Sequence, residues 1–472
     1  MSEPSTPTSP SLSTASGSSV ATSPIGAKEE DVLQTFFLFL SQFAFDKAKE
    51  QMDKEKEMHK PSFGSSWALM VHSLSQFSVA EKTYMSLGFL QQKRFGRAKE
   101  MFQTLKNSYN ALLGELRQIE DSVKQQEQME YGLPGPQIEF ELLLSHLCGQ
   151  LCEYIIARQK TMDFYEQVTT MGTNKNMNYE DLINVISDII QVHSKNFHHP
   201  ILVSLKSSFM YECDVINHLL TSQVLMSQAQ FLETLLQLHQ AHSKLSSWGA
   251  SAQTRETVKK GMFGSSTKTV SSWPPLYLWL LRYKGLLVAK FSLYFYDILS
   301  QQTTPLDMKT LSGKNVEDYH AKITAFQKKT DALNVSLVLD TQGLDHVYTG
   351  PGYHYPDSQV EAPKGLDSFP AIYSYPGDYP SNHWPNVVMM LSRTDRPIDT
   401  DKVCCIFDKG VTSTYFITCV DVKIYIVVIY ECKKSEKDSY VNNFMLELSS
   451  MLRCVKHFAS LKPGSWVGGS RK

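Results

Sequence analysis

Residues 276–299 read LYLWLLRYKGLLVAKFSLYFYDIL, and this stretch, apolar on nearly every side, decides the fold. It is long enough to be tested as a membrane span, but Arg282, Lys284 and Lys290 lie inside it. Each of these cations would cost about 3 kcal/mol at the middle of a bilayer. A helix buried in protein, with the three cations reaching to one edge, is far cheaper. The stretch therefore predicts the central core helix of a soluble, mostly helical protein.

Helical periodicity extends from this stretch back to residue 29. Apolar residues recur at three- and four-residue steps over residues 140–155 and again over 182–190, which gives each segment one apolar stripe. Glycine, proline and other polar turn residues interrupt the pattern near 60–62, 132–136, 172–178, 199–200 and 261–275. We therefore expect about seven or eight helices of up to about 30 residues in a helical bundle over residues 29–304. They form either one bundle or two sub-bundles with a break near 172–178.

After residue 305 the pattern changes to that of a small α+β domain over residues 314–464. A helix over 314–330 leads into an apolar strand at 334–340, and further strands are predicted at 386–392, 403–407, 412–418 and 422–431. A closing helix is predicted over 438–455. The turns at 408–410 and 419–421 have hairpin spacing, which favours an antiparallel sheet. This order of elements resembles profilin-like, longin or roadblock domains, by analogy of element order alone.

An insert at residues 341–385 separates the first two predicted strands and is rich in tyrosine. It holds seven prolines, five glycines and six tyrosines. Loops of this length in compact domains are usually functional or disordered, and the aromatic content argues against disorder. We expect an ordered loop that packs either on its own helices or on a partner protein, and the sequence leaves both open. The candidate partner-binding residues are Tyr353, His354, Tyr355, Tyr373, Tyr375 and Trp384.

Both ends of the chain are predicted to be tails. Nineteen of the first 26 residues are Ser, Thr, Pro or Gly, which bury too little apolar surface to offset the entropy of ordering, so residues 1–28 are expected to be disordered. Thr6-Pro7, Ser9-Pro10 and Ser23-Pro24 have the form that proline-directed kinases accept, although a passive tail explains the same dipeptides more simply. Residues 465–472 are expected to be a flexible tail.

Composition and motifs favour protein binding over catalysis. The net charge of −2 provides no long-range field to attract nucleic acid or an anionic bilayer. The segment GMFGSSTKT at 261–269 lacks the glycine before lysine that a phosphate-binding P-loop needs. The pairs Cys148/Cys152 and His239/His242 each share a helix face, but zinc needs three or four ligands, so we interpret both pairs as packing residues. We predict no metal, no cofactor and no enzymatic activity.

Several longer strings of sequence are specific enough to indicate a family. They include FHHPIL (197–202), AHSKL (241–245), EAPKG (361–365), HWPN (383–386), STYF (413–416) and FASLKPG (458–464). On these strings the chain, from about residue 31 to 464, is similar to the small helical subunit (subunit 2) family of the KICSTOR complex, a metazoan regulator of nutrient signalling. The Ser/Pro-rich residues before this region depart from the vertebrate pattern.

The resemblance implies a scaffold or adaptor subunit. Such a subunit recruits the GATOR GTPase-activating complex to lysosomes and so inhibits TOR complex one when amino acids or glucose are scarce. The implied partners are kaptin, an FG-GAP repeat protein, a very large scaffold named for seizure threshold, GATOR and, indirectly, the Rag GTPases. The implied location is cytoplasmic, with recruitment to the lysosomal membrane surface through partners, no direct membrane insertion and no nucleic-acid ligand.

Two alternatives belong to other classes of protein. One is a direct small-GTPase regulator that acts through the longin-like C-terminal domain. The other is an enzyme in the insert, with Tyr353, His354 and His383 lining a deep polar pocket.

Overall fold

The computed structural model describes residues 27–58, 66–90, 99–129, 136–175, 177–253, 273–350, 352–355, 361–392 and 398–461. The helices before residue 303 in these ranges are α1 (Ala27–Ser41), α2 (Phe45–Met58), α3 (Ser66–Met85), α4 (Lys99–Met129), α5 (Pro136–Asn174), α6 (Tyr179–His193), α7 (Val203–Ser227), α8 (Phe231–Gln253), α9 (Pro275–Tyr294) and α10 (Tyr296–Gln302). The later helices are α11 (Pro305–Lys314), α12 (Tyr319–Thr330), α13 (Trp384–Leu391), α14 (Ser439–Leu452) and α15 (Val455–Ala459). The strands are β1 (Asn334–Leu339), β2 (Ala371–Tyr375), β3 (Cys404–Asp408), β4 (Ser413–Asp421) and β5 (Ile424–Tyr430).

The predicted fold class is confirmed: a helical N-terminal region precedes a C-terminal antiparallel sheet with helices packed on it. The likeness to longin, profilin or roadblock domains stays a prediction. Residues 1–26, the segment 261–269 and the tail 465–472 lie outside the described residues. Of the predicted tail only residues 27 and 28 are described, and they begin α1.

Consecutive helices pack as antiparallel neighbours, as short connections predict. Between α4 and α5, Lys106 contacts Asp163 at one end while Ser145 contacts the carbonyl of Glu120 nearer the other. The same reversal relates α2 to α3 and α7 to α8. The described residues hold ten helices before residue 303 rather than seven or eight, and the longest, α5, has 39 residues rather than about 30.

The predicted break near 172–178 falls at the end of that range, because α5 continues through Gly172 to Asn174. Gly172 is not a helix breaker here. A Cβ at this position would lie 2.5 Å from the backbone nitrogen of Ala459, so glycine allows α15 to pack directly on α5. Lys175, with φ of 59°, ends the helix in the left-handed region. A division into two sub-bundles stays a prediction.

The sheet has five antiparallel strands in the order β2-β1-β5-β4-β3. Successive side chains point to opposite faces, so each central strand contributes to two cores. Val335, Leu337 and Val428 join the large core that also contains the helical region. Val338, Val427 and Ile429 join a smaller core under α13. Both faces of the sheet are therefore covered, which explains why β4 is buried along its whole length and β5 at every position but one.

Two predictions for this region are wrong. Residues 386–392 were expected to form a strand, but α13 occupies 384–391 because Pro385 provides the fixed φ that suits a first helical turn. The insert was expected to be loop throughout, but it contains β2, which pairs with β1 through Val335 and Tyr375 among others. The high proline and glycine content of the insert concealed a five-residue strand that follows Pro370.

The predicted core helix is confirmed as α9, whose Trp279 is fully buried and whose Phe291 is 6% exposed. Among helices of the described ranges, none is both long and apolar enough to cross a membrane. The expectation that all three cations reach an edge is wrong for Lys290. Its side chain is fully buried and its Nζ lies 2.8 Å from the Asp421 carboxylate at the end of β4. This ion pair joins the helical region to the sheet.

Candidate partner-binding cleft

A surface cleft of about 600 Å³ lies where the N-terminus of α8 meets the insert that follows β1. Residues 346–350 and 352–355 form one wall, and residues 229–233 at the α7–α8 junction form the other. Gln230 Nε2 contacts His346 Nδ1 at 3.3 Å across 116 positions of sequence. Ala229, with φ of 57°, makes the left-handed turn that ends α7 and directs the chain into α8. Two segments that are far apart in the sequence therefore form the cleft, and only the tertiary fold brings them together.

Two exposed tyrosines project from the insert at this cleft. Tyr353 is 52% exposed and Tyr355 is 77% exposed, and their ring centroids lie 5.6 Å apart at an interplanar angle of 63°. Tyr348 packs against the core instead, and burial raises its pKa to about 12. On the opposite wall, Phe231 stacks on Phe291 at 5.4 Å. The cleft thus presents exposed aromatic rings on walls that are fixed to the core, a combination typical of protein-binding surfaces.

Two glycines shape the path of the insert beside the cleft. A Cβ on Gly352 would lie 3.3 Å from Ile298 Cδ1, so glycine allows the insert to pass close to α10. Gly350 has φ of 116°, a conformation that side chains rarely adopt. It provides the turn that precedes the Tyr353–Tyr355 segment.

The six predicted binding residues do not form one surface. Tyr353, His354 and Tyr355 line the cleft and are exposed. Tyr373 is 1% exposed on β2, where its hydroxyl lies 2.9 Å from His320 Nδ1, and Tyr375 packs at the edge of the same imidazole. Trp384 is 3% exposed and donates from Nε1 to the Phe369 carbonyl at 3.1 Å. The side chains that meet solvent most fully are those of residues 353–355, and the binding role of all six stays a prediction.

The structure does not bring together the three residues that were predicted to line a deep polar pocket in the enzyme alternative. His383 is 3% exposed at the start of α13, and its Nδ1 lies 2.8 Å from the Tyr415 hydroxyl. It is not among the residues that line the cleft with Tyr353 and His354. The three side chains therefore do not form one site in this structure.

The paired cysteines are placed as packing residues, whereas the interpretation of His239 and His242 as packing residues is wrong, because both side chains are exposed on α8. Cys148 and Cys152 lie in the large core, and burial raises the pKa of Cys152 to about 11, which disfavours the thiolate that zinc binds. His242 Nδ1 lies 3.3 Å from Lys284 Nζ. Over the stretches that the structure describes, no three His, Cys, Asp or Glu side chains are grouped so that they could hold a metal ion.

A buried ionic cluster in the helical region was not predicted. Arg158 on α5 contacts Glu81 of α3 at 3.2 Å and Glu212 of α7 at 2.5 Å, and all three side chains are at most 3% exposed. The tyrosine hydroxyls that donate to the two carboxylates are those of Tyr84, Tyr109, Tyr154 and Tyr165. Burial raises the pKa of Tyr84 well above its ordinary value, and Glu212 raises it further, so its hydroxyl remains a donor.

This cluster fixes the helices to one another and is enclosed by protein. It contains two carboxylates and one guanidinium, and two tyrosine hydroxyls donate to each carboxylate, which compensates for the lack of a second cation. One signal for it was present in the sequence. The apolar stripe of α5 passes through Ile155, and the next position on that face, three residues on, is Arg158.

Fold and cleft together define the class: a mainly helical protein with a five-stranded antiparallel sheet after the helical region and an aromatic cleft on its surface. A family model described as KICSTOR complex C12orf66 like matches residues 21–466. A Xenopus laevis protein named KICSTOR subunit 2 is 44% identical over 444 residues, which cover 93% of this chain and 98% of that protein. A Danio rerio protein with the same name is 43% identical over 444 residues, which cover 93% of this chain and 96% of that protein. The chain belongs to the KICSTOR complex C12orf66 like family.

Proposed function

We propose that this chain is a non-enzymatic scaffold subunit of a KICSTOR complex that recruits the GATOR GTPase-activating complex to lysosomes. By doing so it inhibits TOR complex one when amino acids or glucose are scarce. The observation that carries the proposal is the 43–44% identity to two proteins named KICSTOR subunit 2 over 93% of the chain. The proposed direct partners are the other KICSTOR subunits, namely kaptin, the FG-GAP repeat protein and the large seizure-threshold scaffold.

The cleft formed by residues 229–233, 346–350 and 352–355 is proposed as part of the surface that meets one of these subunits. Two features support it. Tyr353 and Tyr355 present large rings of low conformational entropy to solvent, and aromatic side chains of this kind dominate binding energy at protein interfaces. The wall opposite is held by Phe231 against Phe291, so little ordering entropy is lost on binding.

Residence at the lysosome is proposed to come from partners rather than from this chain. Lysine and arginine number 46 against 48 aspartate and glutamate, so an anionic bilayer exerts little net attraction. The purified chain is therefore expected to remain in the supernatant when it is sedimented with anionic liposomes. Tight binding to liposomes by the isolated chain would contradict borrowed residence.

The proposed function is tested in cells that lack this subunit and are given back either the unaltered chain or the variant Tyr353→Ala/Tyr355→Ala. Tagged unaltered chain should capture the other KICSTOR subunits, bring GATOR to purified lysosomes and restore loss of TOR complex one activity on amino-acid withdrawal. The double variant should capture at least one subunit about tenfold less, which corresponds to about 1.4 kcal/mol of binding energy.

The matched control is Tyr440→Ala, which removes another exposed tyrosine, 43% accessible, that packs on Phe326 of α12 away from the cleft. It should capture every subunit as the unaltered chain does. If the unaltered chain captures none of the other subunits, the scaffold proposal fails. If the double variant captures them normally, the cleft is not the contact.

A further inference from the structure

The described chain begins at Ala27, and the 26 residues before it include a regular proline pattern. Residues 4–10 read PSTPTSP, so Pro4, Pro7 and Pro10 recur every three residues. A polyproline II helix has three residues per turn, which places prolines at this spacing along one edge. The fourth proline of the segment, Pro24, lies outside that register. The family match begins only at residue 21, so the pattern is a feature of this chain outside the matched region.

Segments with this spacing bind grooves lined by exposed aromatic rings, into which the proline edge packs. The cleft beside α8 has this chemistry. Tyr353 and Tyr355 form a pair of exposed rings along one wall, and Phe231 lies in the other. Both the cleft and the N-terminal segment carry few charges. Glu233 is the one carboxylate among the described residues that line the cleft. Residues 1–20 contain one acidic side chain, Glu3, and no lysine or arginine. Packing, rather than ion pairing, would therefore provide the affinity.

The chain is long enough to bring the two together. α1 lies next to the start of α7. It contacts both α7 and the 3-10 turn at Pro200–Leu202, which directly precedes α7 and is capped by His199. The cleft lies at the opposite end of α7, and 25 helical residues span about 37 Å. Residues 11–26 could extend to about 50 Å. The segment 4–10 can therefore reach the cleft without any change in the described helices.

We propose that residues 4–10 of this chain dock, as a polyproline II segment, in the cleft lined by Phe231, Tyr353 and Tyr355. The chain thereby occupies its own partner-binding surface. A tether of this length gives an effective concentration on the order of 1 mM, so a segment with a Kd of about 100 μM in trans would be docked about ten times as often as free. A partner must displace the segment to use the cleft. This inference rests on the proposed function only because both use the same cleft.

The test uses a fluorescent peptide of residues 1–20 and full-length chains, with binding followed by fluorescence polarisation. The peptide should bind the variant Pro4→Ala/Pro7→Ala/Pro10→Ala about tenfold more tightly than the unaltered chain, because the unaltered tail competes at its effective concentration. Adding Tyr353→Ala/Tyr355→Ala to the proline variant should abolish that binding. Pro24→Ala alone should behave as the unaltered chain does, and Tyr440→Ala in the proline variant should leave binding intact. Thermal melting of each variant confirms that it is folded.

Equal peptide affinity for the unaltered chain and the triple proline variant would overturn the proposal, as would undiminished binding after the two tyrosine substitutions. Light scattering over a dilution series identifies a third outcome. A concentration-dependent dimer that the proline substitutions dissolve would show that the tail binds a second copy, and this would overturn intramolecular docking. No other subunit is present in these measurements, so normal subunit capture by the double tyrosine variant, which would refute the proposed subunit contact, leaves this inference standing.

Discussion

At the scale of single residues, the least predictable feature is the Arg158 cluster. Its partners Glu81 and Glu212 are 77 and 54 positions away, so no local pattern relates them. The sequence showed only that a charged residue interrupts an apolar stripe, and either solvent exposure or a buried partner explains that. The same limit applies to the cleft, where Tyr353 could be nominated from its aromatic surroundings but Phe231 could not. Proximity of that kind depends on tertiary packing.

Arg158→Met should destabilise the protein strongly, since it keeps most of the side-chain volume but leaves two buried carboxylates without their cation. We expect a loss of about 3–5 kcal/mol in the free energy of unfolding, measured by urea denaturation. The control Lys82→Ala breaks an ion pair with Asp46 that is exposed on both sides, and should change stability by less than about 1 kcal/mol. Adding Glu81→Gln and Glu212→Gln to Arg158→Met should recover much of the loss. An unchanged urea midpoint for Arg158→Met would show that the cluster is not held by its charge.

His457 should make the protein less stable as the pH falls. Its pKa is lowered to about 3, first by burial and then by Arg282, and its ring stacks on Trp279 at 4.7 Å. The unfolded chain binds a proton below about pH 6.5 and the folded chain does not until about pH 3, so stability decreases across that window as the pH falls. From pH 7 to pH 5 this one group should remove about 2 kcal/mol. His457→Phe keeps an aromatic ring, and its unfolding free energy should decline by that much less over the same interval. Identical pH profiles for the two proteins would contradict the assignment.

At the scale of elements, local patterns predicted the helices and most strands, and failed where two signals conflicted. Residues 386–392 contain two adjacent valines in an apolar run, which favours a strand, yet Trp384-Pro385 begins a helix because proline suits its first turn. β2 buries the adjacent residues Ile372 and Tyr373, but Pro370 and Pro376 flank the strand and are typical of a loop. The segment forms a strand because it pairs with β1, and such pairing between distant residues cannot be seen in the local sequence.

The close contact between α5 and α15 predicts opposite effects for two glycine-to-alanine substitutions. Alanine is favoured over glycine in a helix by about 1 kcal/mol. Gly114 in α4 has nothing within 4 Å of a Cβ, so Gly114→Ala should raise the free energy of unfolding by up to that amount. At Gly172 a Cβ would lie 2.5 Å from one backbone atom of α15 and 2.8 Å from another, so Gly172→Ala should lower stability by about 1–3 kcal/mol despite the better helix propensity.

Both variants are compared by thermal and urea unfolding. The matched pair separates helix propensity from packing, because the same chemical change is made twice. A stabilising Gly172→Ala would show that α15 is displaced easily from α5. It would also mean that the packing of α15 on Trp279 contributes little to the stability of the fold.

At the scale of the whole molecule, the sequence predicted two regions, and the structure joins them through one continuous core. Leu280 and Phe291 of α9 belong to the same cluster of buried side chains as Leu337 and Val428 of the sheet. The Lys290–Asp421 pair and the hydrogen bond from Tyr294 to Asp421 lie within this junction. The change in periodicity predicted two regions, whereas nothing in the sequence predicted the extent of their contact.

We therefore expect the helical region and the sheet to unfold together. Lys290→Ala leaves Asp421 buried without its cation and should cost about 3–5 kcal/mol. Hydrogen exchange should report this loss at slowly exchanging amides of both β5 and α7, and a single calorimetric transition should be retained. As a control, Lys402→Ala removes a cation that is 81% exposed and should leave exchange unchanged. Loss of protection confined to the sheet would show that the two regions are independent domains.

The position of α15 has a consequence for how the protein is made. Of all the described helices and strands, α15 is the last that the ribosome delivers, yet His457 and Phe458 cover Trp279 and Tyr283 of the core helix. Until translation has passed this point, those aromatic rings lack the cover that α15 provides, and we expect the nascent protein to depend on chaperones during that interval. A premature stop codon shortly before residue 455 makes the exposure permanent. Late nonsense mutations should therefore deplete the protein from cells nearly as completely as early ones, through degradation of a chain that is almost full length.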